Sequence, residues 1–278
     1  MQIEEELPVK LKNAMKNKIK WCFSTLGCAD RNLFDILSLA DRYNISALEV
    51  RGIAGELQNE RIDDFSPENA QQTKNAFEKA NVRPLILGTS VSLHDEKYFN
   101  KNIYDGKQAL DIAQRTGFSA IRVFGDRITD NEKECIQRVS SGVNELCLYA
   151  EKSGVSVFLE VHGDFNTVSR LLPVCEYCGN SKSFGIIWDI GHTHSNYGEN
   201  WQEFYKAFSP FIRHVHLKDI KDGKLVLPGD GELQINGIVD QLITDGYDGY
   251  FSLEWEKHWH KELPGIEKAL DKLLKIFS

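Results

Sequence analysis

Four side chains that could bind a metal or move a proton lie near the downstream ends of short apolar runs. VSVFL precedes Glu160, FGIIW precedes Asp189, GYFSL precedes Glu254, and His216 lies within RHVHL. Burying an unpaired carboxylate at the end of a strand costs several kcal/mol unless a partner compensates its charge. The position of these groups therefore indicates that something at the strand ends stabilises them.

The spacing of the four groups shows how they could meet. They are separated by 29, 27 and 38 residues, which matches the repeat of a strand–helix barrel whose strand ends converge on one mouth. Three carboxylates and one imidazole would repel one another there and desolvate poorly, and a divalent cation resolves both problems. One divalent ion is expected, and the oxygen-rich donor set suits Mn, Mg, Co or Zn.

The elements that would position these groups follow an eightfold rhythm. Apolar runs bounded by turn residues predict eight strands: Trp21 to Thr25, Ala47 to Val50, Arg83 to Leu87, Ala120 to Phe124, Val155 to Leu159, Ile186 to Asp189, Ile212 to Leu217 and Tyr250 to Leu253. Helical periods lie between them; Ser66-Pro67 is a predicted helix start, and Gly117, Gly154 and Gly246 are predicted helix stops. Alternation predicts an α/β fold, and eight repeats predict closure into a (β/α)8 TIM barrel.

We expect residues 1–278 to form a single barrel domain, with residues 1–19 as a short N-terminal helical extension or a cover over the barrel floor. The alternative is an open, doubly wound sheet, which usually carries G-x-G-x-x-G after its first strand. The stretch Ser24-Thr25-Leu26-Gly27-Cys28 lacks that pattern.

Composition and charge indicate which classes of partner and which cellular compartment to expect. The chain is 41% hydrophobic and 27% charged, and its net charge of −8 argues against a nucleic-acid partner. No run has signal-peptide character or the length of a membrane helix, so no membrane partner and a cytoplasmic location are expected. Six cysteines show no disulfide spacing; Cys175 and Cys178 form a lone C-x-x-C and are expected to be thiols at a helix surface.

Taken singly, each acidic residue could equally cap the next helix or pair with an arginine. Together, four motifs resemble the xylose-isomerase-like TIM barrel superfamily, which includes the sugar phosphate isomerase/epimerase family. These motifs are Leu159-Glu160, Trp188-Asp189-Ile190-Gly191-His192, His214-Val215-His216-Leu217-Lys218-Asp219 and Leu253-Glu254-Trp255. The resemblance runs from about the first strand onward and identifies no single substrate.

The resemblance implies roles for individual residues. Glu160, Asp189, His216 and Glu254 would be the metal ligands, and His192 matches a histidine that contacts substrate in the epimerases. His192 could instead face water at a helix start, and His194 has no matching role. His214, two residues before His216, would lie lower on the same side of the strand, in either a structural or a functional role.

The implied activity is that of a metal-dependent isomerase or epimerase of a sugar, ketose or sugar phosphate. A proton would move through a metal-bound enediolate between Glu160 and Glu254, which are therefore the predicted catalytic pair. The substrate is expected to be a small carbohydrate. Barrels of this type often form homodimers, although no residue here fixes the oligomeric state.

Further substrate contacts are expected from side chains around the same mouth. His162 could hydrogen-bond a hydroxyl, and Arg122 and Lys218 could hold an anionic group or a sugar oxygen. The alternative for these two cations is an ion pair with Glu49 or Asp219.

Three other segments have simpler expected roles. The segment 228–232 is expected to be a tight turn rather than a phosphate site. The His258-Trp259-His260 cluster is expected to be a loop over the mouth rather than a second metal site. Trp21, Trp255 and Trp259 could wall a sugar ring, although core packing is the usual role of tryptophan.

Three other functions compete with isomerisation. The same site could eliminate water from an inosose or a 3-keto sugar, because an enediolate can expel a β-hydroxyl. An apurinic endonuclease would need further D-x-H metal ligands after His216, where the chain reads Gly223-Lys224-Leu225. A non-catalytic sugar-binding barrel is disfavoured because all four implied ligands are intact.

Overall fold

Eight parallel strands pair around a closed ring in the computed structural model, which describes residues 19–278. The barrel strands are β1 (Lys20–Ser24), β2 (Ala47–Val50), β3 (Arg83–Ser92), β4 (Ala120–Phe124), β5 (Ser156–Glu160), β6 (Phe184–Asp189), β7 (Ile212–Leu217) and β10 (Tyr250–Leu253). An antiparallel hairpin of β8 (Asp219–Lys221) and β9 (Lys224–Val226) follows β7. The predicted single-domain TIM barrel is confirmed. Residues 1–18 of the predicted N-terminal extension lie outside the described residues.

Helices alternate with the strands and cover the outside of the ring. They are α1 (Leu33–Arg42), α2 (Ala70–Lys79), α3 (Phe99–Thr116), α4 (Glu132–Ala150), α5 (Val168–Cys178), α6 (Ile190–Tyr197), α7 (Trp201–Phe208), α8 (Ile235–Thr244) and α9 (Ile266–Ile276). The predicted stop at Gly117 is confirmed: it ends α3 with a φ of 88°, a left-handed conformation that glycine adopts without strain. None of the described helices is both long and apolar enough to cross a membrane.

Two local predictions are wrong. The helix predicted to begin at Ser66 begins at Ala70, because the Ser66 hydroxyl accepts the Asn69 amide at 3.3 Å and closes a separate turn first. Cys175 and Cys178 do lie on α5, but both are buried rather than at its surface, and Cys178 Sγ lies 3.5 Å from the Ser140 carbonyl oxygen. Their helix face packs against α4, which explains two thiols in an otherwise apolar stripe.

Strand alternation separates two environments. Outward-facing residues of the strands join the helices in one large apolar core. Inward-facing residues low in the barrel form a second, small apolar cluster that contains Cys22, Ala47, Ala120 and Ile187. Residues two positions further along these strands face the same interior, at the carboxyl-terminal mouth where barrels of this kind place their active sites. There the interior becomes charged, as Ala47 gives way to Glu49 and Ala120 to Arg122.

Candidate metal centre and active site

The four side chains singled out by their position in the sequence meet at the mouth of the barrel. One donor atom from each of Glu160, Asp189, His216 and Glu254 lies within 4.8 Å of the donor atoms of the other three. Glu160 and Asp189 end β5 and β6, His216 lies in β7, and Glu254 follows β10. All four are buried, so the convergence is a built feature of the interior.

This donor set fits a divalent cation. Glu160 Oε2, Asp189 Oδ2 and His216 Nδ1 are buried and make no hydrogen bond within residues 19–278, although ionic contacts surround them. His216 Nδ1 lies 3.7 Å from Asp189 Oδ2 and 3.5 Å from Glu254 Oε1. Buried polar atoms usually have partners, and atoms left without hydrogen bonds around one point are a donor set that an ion would satisfy.

Glu49 on β2 contacts the His216 imidazole on the side away from Asp189 and Glu254 and so orients the ring. Its Oε2 lies 2.7 Å from His216 Nε2, which leaves Nδ1 facing Asp189 and Glu254. A carboxylate on the second nitrogen of a metal-binding histidine fixes its tautomer and raises its basicity. His214 Nε2 lies 3.5 Å from the same oxygen, so His214 contacts this supporting layer from below. From the sequence, Glu49 is expected only as an ion-pair partner; the signal for its closer role is a carboxylate inside the short apolar run of β2.

Charge and burial shift the pKa values of Glu160 and Glu254 in opposite directions. Burial raises the pKa of Glu160 to about 7, with the Arg122 charge opposing and the Glu254 charge adding to the shift. Burial also raises the pKa of Glu254, but the charges of Lys218 and His216 outweigh it, so its pKa falls below the usual range. Two carboxyl groups with opposite shifts can hold different protonation states at one pH, which suits proton transfer.

Lys218 is the cation between the carboxylates on one side of the mouth. Its Nζ lies 2.9 Å from Asp189 Oδ2, 2.5 Å from Glu254 Oε2 and 2.6 Å from Glu256 Oε1. The suggested ion pair with Asp219 is wrong, because the Asp219 carboxylate instead accepts backbone amides. The predicted contact of Lys218 with substrate stays a prediction.

Arg122 is the cation on the other side of the mouth. Its Nη1 lies 3.0 Å from Glu160 Oε2 and 3.6 Å from both Glu49 Oε1 and Glu254 Oε1. The suggested pair with Glu49 is therefore present, and the guanidinium is buried below the ligands. Its predicted contact with substrate stays a prediction.

Two further histidines line the rim beside Glu160. The rings of His162 and His192 are 4.4 Å apart between centroids, and both side chains are half-buried rather than facing water. The His192 amide donates to Asp189 Oδ1 at 2.9 Å, so Asp189, a predicted metal ligand, also caps α6. His194 points elsewhere, 4.0 Å from Glu232. The roles of His162 and His192 toward substrate stay predictions.

The hairpin and turn after β7 are tied together by Asp219. Its carboxylate accepts the amides of Ile220, Gly229, Gly231 and Leu233 at 2.8–3.1 Å. The amides of Gly229 and Gly231 are therefore used within the protein, which supports the tight-turn interpretation of 228–232 over a phosphate site.

The tryptophans divide between the core and the surface. Trp255 is buried in the core, and Trp21 packs against Phe251 and Phe277. Trp259 is exposed in the segment after β10, beside His258.

Arg51 lies at the site but is not among the residues predicted from the sequence. It directly follows β2, as Glu160 ends β5, and is almost fully buried near the acidic cluster. Its Nη2 donates to Ser90 Oγ at 2.7 Å and its Nη1 to the Leu57 carbonyl at 3.0 Å. Burial and the Arg122 charge lower its pKa to about 10. Its position after a strand end was the signal that could have identified it.

The sequence profile of the xylose isomerase-like TIM barrel family matches residues 38–276. The chain belongs to this family. Among curated relatives, inosose dehydratase of Yersinia enterocolitica is 28% identical over 145 residues, which is 44% of this chain and 48% of that protein. Inosose dehydratase of Clostridium perfringens is 24% identical over 174 residues, covering 55% and 56%. The chain thus spans about half the length of the curated relatives it matches.

Solved structures share the fold across nearly the whole chain. A probable 3-DHS dehydratase involved in petrobactin synthesis from Bacillus anthracis aligns with a TM-score of 0.76 and 17% identity, covering 94% of this chain and 99% of that one. The IolI protein with a bound zinc atom aligns with a TM-score of 0.74 and 21% identity, covering 92% and 96%. A 3-keto-D-glucoside 4-epimerase from E. coli aligns at 0.72 and 17%, covering 93% and 98%. At these identities the likeness shows the fold.

Proposed function

We propose that this protein is a metal-dependent enzyme that removes a proton beside the carbonyl of a cyclic polyhydroxy ketone and eliminates water from it. The observation that carries the proposal is the convergence of Glu160, Asp189, His216 and Glu254 at one buried point. A divalent cation bound there would polarise the substrate carbonyl and acidify the neighbouring C–H bond. The protein's own residues would then have to move one proton off carbon and one onto oxygen.

Glu254 is the residue we assign to proton removal. Glu254 is ionised beside Lys218 and His216, and in this role its carboxylate takes the proton from the carbon next to the carbonyl. The electron pair of that C–H bond forms the new C=C bond, and the C–O bond to the β-hydroxyl breaks. The hydroxyl takes a proton from the Lys218 ammonium and leaves as water.

Lys218 is the residue we assign to protonate the departing hydroxyl, because it contacts Glu254. The two charged groups are 2.5 Å apart, so one can accept a proton while the other donates. Dehydration as the outcome is also supported by the curated relatives, which are named inosose dehydratase, and by the fold of a probable 3-DHS dehydratase. An inosose or a 3-keto sugar is therefore the substrate class we propose.

Isomerisation or epimerisation is the second candidate, and the arrangement of the glutamates favours it. Glu160 ends β5 and Glu254 follows β10, and these two strands are not adjacent in the ring, so the two carboxylates approach the mouth from different sides. If Glu254 removes the proton and Glu160 returns it from the other side, the product is an epimer and no water is lost.

A panel of inososes, 3-keto sugars and ketoses in deuterated water, with Mn²⁺ added, separates the two candidates. Dehydration gives an unsaturated ketone, which absorbs in the ultraviolet, and a mass lower by one water. Epimerisation or isomerisation gives deuterium in the substrate skeleton without loss of water. If metal-loaded protein produces neither change with any of these compounds, both candidates are contradicted.

The Glu254→Gln variant tests the assignment of the base. It should lower the rate of proton removal by at least about 100-fold, the usual contribution of a positioned base. Glu262→Gln, an exposed carboxylate on the same loop, is the matched control and should keep the wild-type rate. Equal rates for wild type and Glu254→Gln would remove Glu254 from the reaction.

A further inference from the structure

Arg51 is a buried cation at the mouth without a carboxylate partner among residues 19–278. It is 7% exposed, and its guanidinium contacts neutral oxygens, Ser90 Oγ and the Leu57 carbonyl. By contrast, Arg122 and Lys218, the other buried cations in this part of the chain, each lie within ion-pair distance of three acidic side chains. Because burying an unpaired charge is costly, Arg51 calls for an anion that the described residues do not supply.

The neighbouring strands direct this guanidinium to the open end of the barrel. Ala47, Glu49 and Arg51 are two positions apart, so they face the interior at successive levels and Arg51 lies above Glu49. On β3, a Cβ added at Gly88 would lie 2.9 Å from Arg51 Cδ, so this glycine leaves room for the arginine to cross the strand. Ser90, which accepts from Nη2, is exposed, and the guanidinium therefore lies where the interior meets solvent.

Arg51 is held rigidly but keeps hydrogen-bond donors in reserve. Its amide donates to Thr25 Oγ1 at 3.0 Å and its Nη1 to the Leu57 carbonyl at 3.0 Å, which fixes both ends of the residue. The remaining N–H groups of the guanidinium have no partner within the described part of the chain, and Ser90 Oγ accepts from Nη2 while its own O–H is free to donate. Fixed N–H and O–H donors around one positive charge suit an oxyanion.

The surrounding charges favour a carboxylate over a phosphate. With a pKa of about 10, Arg51 stays charged at neutral pH, and the charges of Glu160 and Glu254 reach it, since they act to raise that pKa. A doubly charged phosphate would meet repulsion from these glutamates with one unpaired guanidinium to offset it. A carboxylate carries a single charge, and its two oxygens match the planar fork of arginine.

We propose that Arg51 and Ser90 bind a carboxylate of the substrate and so select acidic substrates over neutral ones. As a statement about the substrate this rests on the proposed function: the substrate would be a cyclic polyhydroxy ketone that carries a carboxylate, such as a 3-keto uronic acid. Arg51 would determine specificity and take no part in proton transfer. By holding the charged group at the edge next to β2 and β3, it would orient the ring toward the four-residue centre.

Binding of compounds that cannot react tests the carboxylate site without turnover. Calorimetry on the full chain loaded with Mn²⁺ compares methyl glucuronide with methyl glucoside, which differ in a carboxylate against a hydroxymethyl group. It also compares quinate with myo-inositol, two cyclitols with and without a carboxylate. None of the four carries a ketone. Wild type should bind the acid of at least one pair about 10-fold or more tightly than its neutral counterpart, the usual worth of a charge-assisted hydrogen bond.

Variants connect this preference to the arginine. Arg51→Met should abolish it, and Arg51→Lys should keep part of it, because lysine retains the charge without the fork. Ser90→Ala, at an exposed position, should reduce the preference by about 3-fold and leave the fold intact. Arg83→Met is the matched control, because Arg83 also donates to a serine of the next strand, Ser119 at 3.1 Å, but is exposed at the opposite end of the barrel. Circular dichroism melts and Mn²⁺ content identify a variant that fails to fold.

Three results would overturn the carboxylate site. The first is that wild type binds neither acid, or binds both members of each pair equally well. The second is a preference that survives in Arg51→Met, or in Ser90→Ala where Arg51→Met does not fold. The third is tighter binding of methyl glucoside 6-phosphate than of methyl glucuronide, which would make the ligand a phosphate.

Turnover separates this inference from the proposed function. With the 3-keto forms of methyl glucuronide and methyl glucoside, wild type should show a kcat/KM at least about 10-fold higher for the acid, mostly through a lower KM. Equal kcat/KM values would overturn the selection of acids and leave the proposed function standing. Arg51-dependent binding of an acid, without turnover of any compound, would leave the carboxylate site standing and contradict the proposed function.

Discussion

Replacing Glu160 with glutamine should stabilise the metal-free protein increasingly as the pH rises towards about 7 and above. Glu160 is buried, and burial raises its pKa from 4.5 to about 7 despite the Arg122 contact. A carboxyl group whose pKa is higher in the folded state binds its proton more tightly there. The folded protein therefore loses stability as the pH rises from about 4.5 to about 7, and above that range the loss is complete.

The size of the effect follows from the shift. Each pKa unit corresponds to about 1.36 kcal/mol, so the full shift would amount to about 3 kcal/mol. Glutamine keeps the shape and carries no charge, but it loses the ionic contact with Arg122 at 3.0 Å. We therefore expect the free energy of unfolding of Glu160→Gln, relative to wild type, to rise by about 1–3 kcal/mol from pH 5 to pH 8.

Urea unfolding at pH 5, 6, 7 and 8, with a chelator present, measures this difference directly. Glu145→Gln is the control, because Glu145 is an exposed partner of Lys107 and should change the free energy of unfolding by less than about 1 kcal/mol throughout. A difference between Glu160→Gln and wild type that is flat or falls with rising pH would refute the reasoning. Added Mn²⁺ should reverse the order, since the cation stabilises only the form that binds it.

Three other changes test separate parts of the site. Lys218→Met should lower kcat by about 100-fold or more, because the leaving hydroxyl loses its proton donor. Steady-state kinetics on the substrate found in the panel measure this change, and an unchanged kcat would contradict the role of Lys218. Asp219→Ala should lower the free energy of unfolding by at least about 2 kcal/mol in urea titrations, because four backbone amides lose their acceptor; a loss below about 0.5 kcal/mol would show that the turn does not depend on it. Zn²⁺ or Mn²⁺ should raise the Tm of wild type in a concentration-dependent way, whereas His216→Ala should respond much less; equal responses would place the bound ion outside the four-residue centre.

The sequence predicted the barrel and the four-residue centre because each depends on a local pattern. The bounds predicted for β2, β4, β7 and β10 match the structure, since apolar runs between turn residues mark buried strands well. The four converging side chains could be predicted because a charged residue at the end of such a run needs a reason to be buried. Their convergence then follows from the parallel order of the strands.

What escaped prediction depends on contacts between distant segments. β3 continues to Ser92, beyond the predicted Leu87, and a register irregularity after Gly88 accommodates the extra residues. The pairing of Lys218 with Glu256 rather than Asp219 could not be predicted either. It requires the loop after β10 to approach β7, while Asp219 turns to the amides of its own hairpin. Neither arrangement leaves a mark within one short window of sequence.

The charges at the mouth also connect metal binding to catalysis. In the structure Lys218 Nζ contacts Asp189 and Glu254, two of the four proposed metal ligands, so the lysine supplies positive charge where a bound cation would supply it. A bound cation would weaken both contacts, because the carboxylates would then be neutralised by the ion. Lys218 would keep its contact with Glu256 at 2.6 Å, which holds the ammonium at the rim, and its remaining protons would be free for a substrate oxygen. Glu256→Gln should therefore lower kcat even at saturating Zn²⁺, where a weaker Zn²⁺ affinity no longer limits metal binding. A variant whose Zn²⁺ affinity falls while kcat at saturating metal stays at the wild-type value would show that Glu256 serves the metal centre and not the lysine.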